Sequence, residues 1–193
     1  MYLDAGRTES GGYIIDGGPT ISWKAAPGVR LSFGPYVTHD VTMAQYVDQW
    51  SDSTAVATYG GRYLFAKIDQ KEISANIRLD WTFTPQLSLQ LYLQPLISVG
   101  TYSQFKELAR PGAYEFNSFS EADSSITLQS DGSYNIRPQG INGPATVHNE
   151  GNPDFNYKSL RGNAVLRWEY LPGSSLYIVW THQKTDSEDP GDY

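Results

Sequence analysis

The chain of 193 residues contains no cysteine, which excludes a disulfide framework, a zinc-thiolate site and thiol catalysis. Charge is scarce too. Charged residues make up 18% of the chain, against about 25% in ordinary soluble domains. Acidic residues outnumber basic ones, 21 to 14, for a net charge of −7. That balance offers phosphate no cationic surface and excludes generic nucleic-acid binding. The opening "MYLDAGRTESGGY" has neither a basic n-region nor an apolar h-region. An export signal, if the protein uses one, is therefore expected further upstream, with this chain a piece of something longer. Long apolar runs are missing as well. The only long uncharged stretch, Trp81 to Phe105, is interrupted by Pro85, Pro95, Gln86, Gln90 and Gln94. Polar residues at every second position defeat a membrane helix and fit a strand.

What is present is a repeated phrase: tryptophan, three residues, proline, three residues, leucine. It occurs at Trp23–Pro27–Leu31, Trp81–Pro85–Leu89 and Trp168–Pro172–Leu176. Each copy lies in alternating sequence, with the proline where a strand must reverse. Ile73, Ala75, Ile77, Leu79, Trp81 and Phe83 fall on one face of a strand, and Ser74, Asn76, Arg78, Asp80 and Thr82 on the other. Leu87, Leu89, Leu91 and Leu93 continue the pattern after the turn. Leu160, Gly162, Ala164, Leu166, Trp168 and Tyr170 form a second such stripe, and Leu176, Ile178 and Trp180 its partner. One domain of strand pairs is expected around 13–39, 69–99 and 155–184, with long loops at about 40–68 and 100–154.

Alternation fits two architectures. In a sandwich the apolar face meets a second sheet; in a membrane barrel it meets lipid. Three details lead to the barrel. The strands exceed the usual five or six residues. Trp81/Phe83 and Trp168/Tyr170 stand at one height beside short turns, as an interfacial girdle would. Short turns at one end and long loops at the other repeat the outer-membrane pattern. The expected fold class is thus all-β: an antiparallel up-and-down meander forming part of an outer-membrane-type β-barrel.

The segments "LDWTFTPQLSLQLYLQP", "FKELARPG" and "NAVLRWEYLPGSSLYIVWT" strengthen that reading. With their flanks, from about Gly17 to His182, they resemble an uncharacterised bacterial outer-membrane β-barrel domain. That domain follows a family-9-type carbohydrate-binding module in large surface proteins of Bacteroidetes and Gemmatimonadetes. The resemblance implies a C-terminal fragment of a barrel, located in the bacterial outer membrane, with lipid as a partner. The remaining barrel strands would come from missing sequence or other chains. It also implies a role in glycan handling or solute uptake, with a glycan or small solute as ligand. The alternative is a secreted soluble β-sandwich binding or adhesion module; a third reading is a hydrolase accessory region.

Candidate chemistry is sparse. Arg78, Asp80, Arg161, Arg167 and Glu169 lie on polar strand faces, where they would line a lumen and bind solute, or simply neutralise one another across strands. Asp186, Glu188, Asp189 and Asp192 form an acidic tail without EF-hand spacing, expected to be solvated. Of His39, His148 and His182, none has a helical metal spacing to a second ligand, and His148 with Glu150 is the nearest thing to a site. No nucleophile elbow or phosphate-cradling glycine loop is present. The expectation is no enzyme, no cofactor and no metal. Tyr102, Phe105, Tyr114, Phe116, Phe119, Tyr134 and Phe155 crowd the 100–154 segment, where they would serve sugar recognition or, more simply, pack on each other.

Overall fold

A computed structural model describes residues 2–120, 122, 125–140, 142–143 and 147–188. Its frame is an antiparallel sheet of nine strands. The strands are β1 (Tyr2–Arg7), β2 (Tyr13–Gly18), β3 (Ile21–Ala26), β4 (Val29–Ser51), β5 (Gly61–Thr84), β6 (Leu87–Leu108), β7 (Phe116–Ser118), β11 (Phe155–Leu171) and β12 (Ser174–Glu188). Their order is β1-β2-β4-β5-β6-β11-β12, with β3 beside the start of β4 and β7 beside the end of β6. Between β7 and β11, strands β8 (Ile126–Leu128), β9 (Tyr134–Ile136) and β10 (His148–Glu150) form a separate three-stranded sheet. Among the described residues the helical content is a single 3-10 turn at Val56–Thr58, and no helix could cross a membrane.

All three prolines of the repeated phrase sit in hairpin turns. Pro27-Gly28 joins β3 to β4, and Pro172-Gly173 joins β11 to β12. Proline presets φ at the first corner, and the second needs positive φ, which Gly28 (+83°) and Gly173 (+79°) supply.

Register turns the alternation into continuous rows. Val29, Trp81, Leu89, Leu166 and Ile178 stand side by side across five strands, and Leu31, Leu79, Leu91, Ala164 and Trp180 form the next row. Phe33, Ile77, Leu93, Gly162 and His182 make a third. Toward the far end the band is bounded by Lys71, Lys158 and Asp186. Among the described residues no second layer covers it: Trp168 is 49% exposed, Ile178 56% and Trp180 50%.

The opposite face changes character along its length. β5 is regular from Gly61 to Thr82, because the extra residues at its bulges belong to β4 and β6. Its even-numbered side chains therefore stay on one side. Ser74, Asn76 and Arg78 are polar, whereas Leu64, Ala66 and Ile68 are buried. Over that buried half the small sheet packs, forming a core of Leu64, Ala66, Phe105, Ile126 and Ile136 flanked by Val47, Trp50, Tyr102, Phe119 and Tyr134. This two-layered head is the one packed core of the described residues.

The head accounts for the strand lengths, and they do not require a barrel. β4, β5 and β6 run for 23, 24 and 22 residues, at least twice the 9–11 that a membrane crossing needs. Nor does the sheet close. A barrel pairs its first and last strands, but among the described residues β1 pairs only with β2 and β12 only with β11. The expected part of an outer-membrane-type β-barrel is therefore corrected to an open antiparallel sheet with a small second sheet on one end. The transmembrane strands, the outer-membrane location, the lipid partner and the missing barrel strands depended on closure and are corrected with it. So is a pore role in solute uptake. The segments expected as loops also differ: β4 continues to Ser51, β5 begins at Gly61 and β6 reaches Leu108.

Candidate functional site

One cluster of polar groups in the head joins the small sheet to β4. Asp48 and Trp50 are two residues apart near the end of β4, so they share a face; His148 and Glu150 do the same on β10. A bulge with Val47 as the extra residue re-aims β4 just before Asp48. Across the gap His148 Nε2 lies 3.2 Å from Asp48 Oδ2 and 3.3 Å from Glu150 Oε2. The indole of Trp50 lies flat on the imidazole, with centroids 3.9 Å apart and planes 3° from parallel. One ligand atom from each of Asp48, His148 and Glu150 falls within 4.8 Å of the other two. Burial pushes the Glu150 carboxyl above its ordinary range; the Asp48 charge adds to the shift and His148 opposes it.

A second polar cluster closes the base of the head. Arg62 donates through Nε to Asp52 Oδ2 at 2.6 Å and through Nη1 to Glu107 Oε2 at 2.5 Å, with all three residues buried. Asp52 also accepts from the backbone and hydroxyl of Thr54, at 2.9 and 2.6 Å. The Thr54 bonds and then Arg62 hold its carboxyl at about 2. Every carboxylate and guanidinium here is turned toward another, which makes this a clamp between β5, β6 and the 52–60 connection.

Residues 22–192 match the family model described as "Domain of unknown function (DUF5916)". The chain belongs to the DUF5916 family. No curated protein and no solved structure matches it. The DUF5916 match attaches neither a barrel nor a carbohydrate-binding module to the chain. The resemblance to a barrel domain following a family-9-type module, and the glycan role drawn from it, are corrected accordingly.

In this DUF5916 domain the five charged residues picked from the sequence are spread over two strands separated by β6. Arg78 lies over the Tyr92 ring, 5.6 Å from its centroid, and Tyr92 donates to Asn76 at 2.6 Å. These residues line an open hollow of about 490 Å³. Asp80 stands opposite Arg30 and Gln90, and Arg161 opposite Gln94 and Gln183. Arg167 donates to Glu169 at 3.2 Å, and Glu169 also accepts from the Gly173 amide at 3.1 Å, bracing the turn. The open sheet encloses no lumen for these groups to line. Trp81 stacks with Phe83 at 4.3 Å and Trp168 meets Tyr170 edge-on at 6.1 Å; in an open sheet they mark the turn-side margin of the apolar band.

His39 contacts Asp69 at 2.9 Å, and His182 lies parallel to Trp180 at 5.5 Å. Asp186 sits opposite Lys158 at the end of β12, while Asp189 and Asp192 lie outside the described residues. The aromatics of the 100–154 segment pack on one another: Phe105 on Tyr134, Tyr114 on Phe116, and Phe116 on Phe65. Asp48 and Trp50 are hidden in the sequence because the bulges in β4 break its alternation there. The available signal was the matched i, i+2 spacing of Asp48/Trp50 and His148/Glu150.

Proposed function

We propose that the chain is a non-catalytic binding module that completes a β-sandwich with a second apolar sheet, supplied by a second copy of itself. The observation that supports this is the uncovered apolar band, with its cross-strand rows from Val29 to Ile178 and Leu31 to Trp180. Five strands about 4.8 Å apart and three rows covering about six residues at about 3.4 Å give a flat area on the order of 500 Å². That approaches the roughly 800 Å² of accessible surface each partner contributes to a standard interface. The area is at the upper end of what a monomer exposes in one patch, a size that is often functional. The three rows carry no carboxylate, lysine or arginine, so their chemistry complements itself, as homodimer interfaces do. A twisted sheet of this kind stacks on another at about 10 Å, aligned or orthogonal.

Sedimentation equilibrium over a rising concentration range tests the reading. The wild-type chain is expected to dimerise, and Leu79→Arg/Leu91→Arg, placed in the second row, to remain monomeric with an unchanged β-sheet spectrum. A wild-type chain that stays monomeric, or one that stays dispersed only in detergent, overturns the proposal.

A further inference from the structure

We propose that Asp48, His148 and Glu150 form a binding site for a zinc-class divalent cation, which ties β10 of the small sheet to β4 of the large one. The donor set is one imidazole nitrogen and two carboxylates from two strands distant in sequence. Nε2 of His148 is the shared point, 3.2 Å from Asp48 Oδ2 and 3.3 Å from Glu150 Oε2. With zinc–ligand bonds of about 2.0–2.1 Å, tetrahedral geometry places neighbouring ligand atoms about 3.3 Å apart. An octahedral magnesium at the same bond length would set them at about 2.9 Å, and calcium takes oxygen ligands in place of imidazole. The two separations measured from His148 fit a tetrahedral site, and the nitrogen donor favours a borderline-soft ion over magnesium or calcium.

The charges suit such an ion. A dication between the three ligand atoms would satisfy each of them and neutralise both carboxylates. The ligands are also held in place. Trp50 fixes the imidazole plane by stacking. Between His148 and Glu150, Asn149 points the other way and donates to Ser133 Oγ at 3.2 Å and Asn135 Oδ1 at 3.1 Å. That anchors the backbone of β10 so that His148 and Glu150 face the gap together. The Asp48 side chain is 42% exposed, against 19% for His148 and 16% for Glu150, so the cluster is reached from solvent on the Asp48 side.

The test is calorimetric titration of the full chain with zinc chloride, with magnesium and calcium chloride as controls, alongside thermal unfolding with and without zinc. One zinc per chain is expected, with an upward shift in Tm that magnesium and calcium do not reproduce. His148→Gln should abolish binding and the Tm shift. Asp48→Asn changes the most exposed ligand, so it keeps the test decisive should His148→Gln fold poorly; it should weaken zinc binding by about tenfold or more, the scale seen even for groups behind the ligands. Absence of zinc binding by the wild type, or equal binding by wild type and Asp48→Asn, overturns the proposal. The cluster would then be an ion pair between His148 and the two carboxylates.

Discussion

Arg62 and Glu107 meet across β5 and β6 at 2.5 Å, and the same guanidinium reaches back to Asp52 at 2.6 Å. Both carboxylates and the guanidinium are buried, so the three form a unit. Arg62→Met leaves two carboxylates without their cation and should cost about 3–5 kcal/mol in chemical denaturation. The triple change Asp52→Asn/Arg62→Met/Glu107→Gln should cost less than Arg62→Met alone. Simple additivity of the three single changes would show that the residues act separately.

The same cluster sets an acid limit. Asp52 has a folded-state pKa of about 2, below the roughly 3.9 of an unfolded aspartate. The unfolded chain therefore binds more protons between those values. The stability that Asp52 contributes is complete above about pH 4 and is lost as pH falls toward 2. Unfolding midpoints of wild type and Asp52→Asn, followed from pH 6 to 2, should converge at the acid end. Parallel curves would remove Asp52 from the account.

Gly100 makes room for a ring. It lies opposite Phe155, and a Cβ at position 100 would fall 2.3 Å from Phe155 Cε1. Gly100→Ala must push the ring aside, at a cost of about 1–3 kcal/mol. In a Phe155→Ala background the same change should be nearly neutral. An equal penalty in both backgrounds would place the strain in the backbone.

The head should come apart before the sheet. Ile136 is fully buried in the core between the small sheet and β5–β6. Ile136→Ala removes volume that its neighbours cannot refill and should cost about 2–5 kcal/mol. Hydrogen exchange should accelerate first in β8–β10, with the β11–β12 ladder still protected. Uniform acceleration would mean that head and sheet unfold as one unit.

The hairpins were legible because Ile73–Phe83, Leu87–Leu93 and Leu160–Tyr170 keep strict period two, and Pro27, Pro85 and Pro172 mark the reversals. The continuation of β4 was not. Register shifts between Thr42 and Gln45 and between Tyr46 and Asp48 break the alternation there, so the stretch reads as loop. In β6, Gln104 at φ +53° interrupts the pattern in the same way before the strand resumes at Phe105. Strand length, the aromatic pairs at the turns and the short-turn, long-loop asymmetry all point to a barrel. Alternation says which residues share a face; what covers that face is decided by tertiary contacts. The head core was hidden for a related reason. Leu64 and Ala66 share a strand face with Asn76 and Arg78, so the change from buried to polar depends on where the small sheet sits. His148 and Glu150 were noticed as a pair, but their partners Asp48 and Trp50 lie in the stretch obscured by the bulges.

The separation of β6 from β11 also orders events in time. Their ladder runs from Gly100–Phe155 to Leu87–Trp168, so forming it closes a loop of about fifty residues. The β11–β12 hairpin closes across only Pro172-Gly173 and can form within microseconds. The hairpin, its own register set by the Pro172-Gly173 turn, must still find its register on the edge of β6. A two-residue slip would keep its apolar face correctly turned while moving Trp168 off Leu87. A chain released before that search ends would carry two unmatched edges, and aggregation during folding would start there.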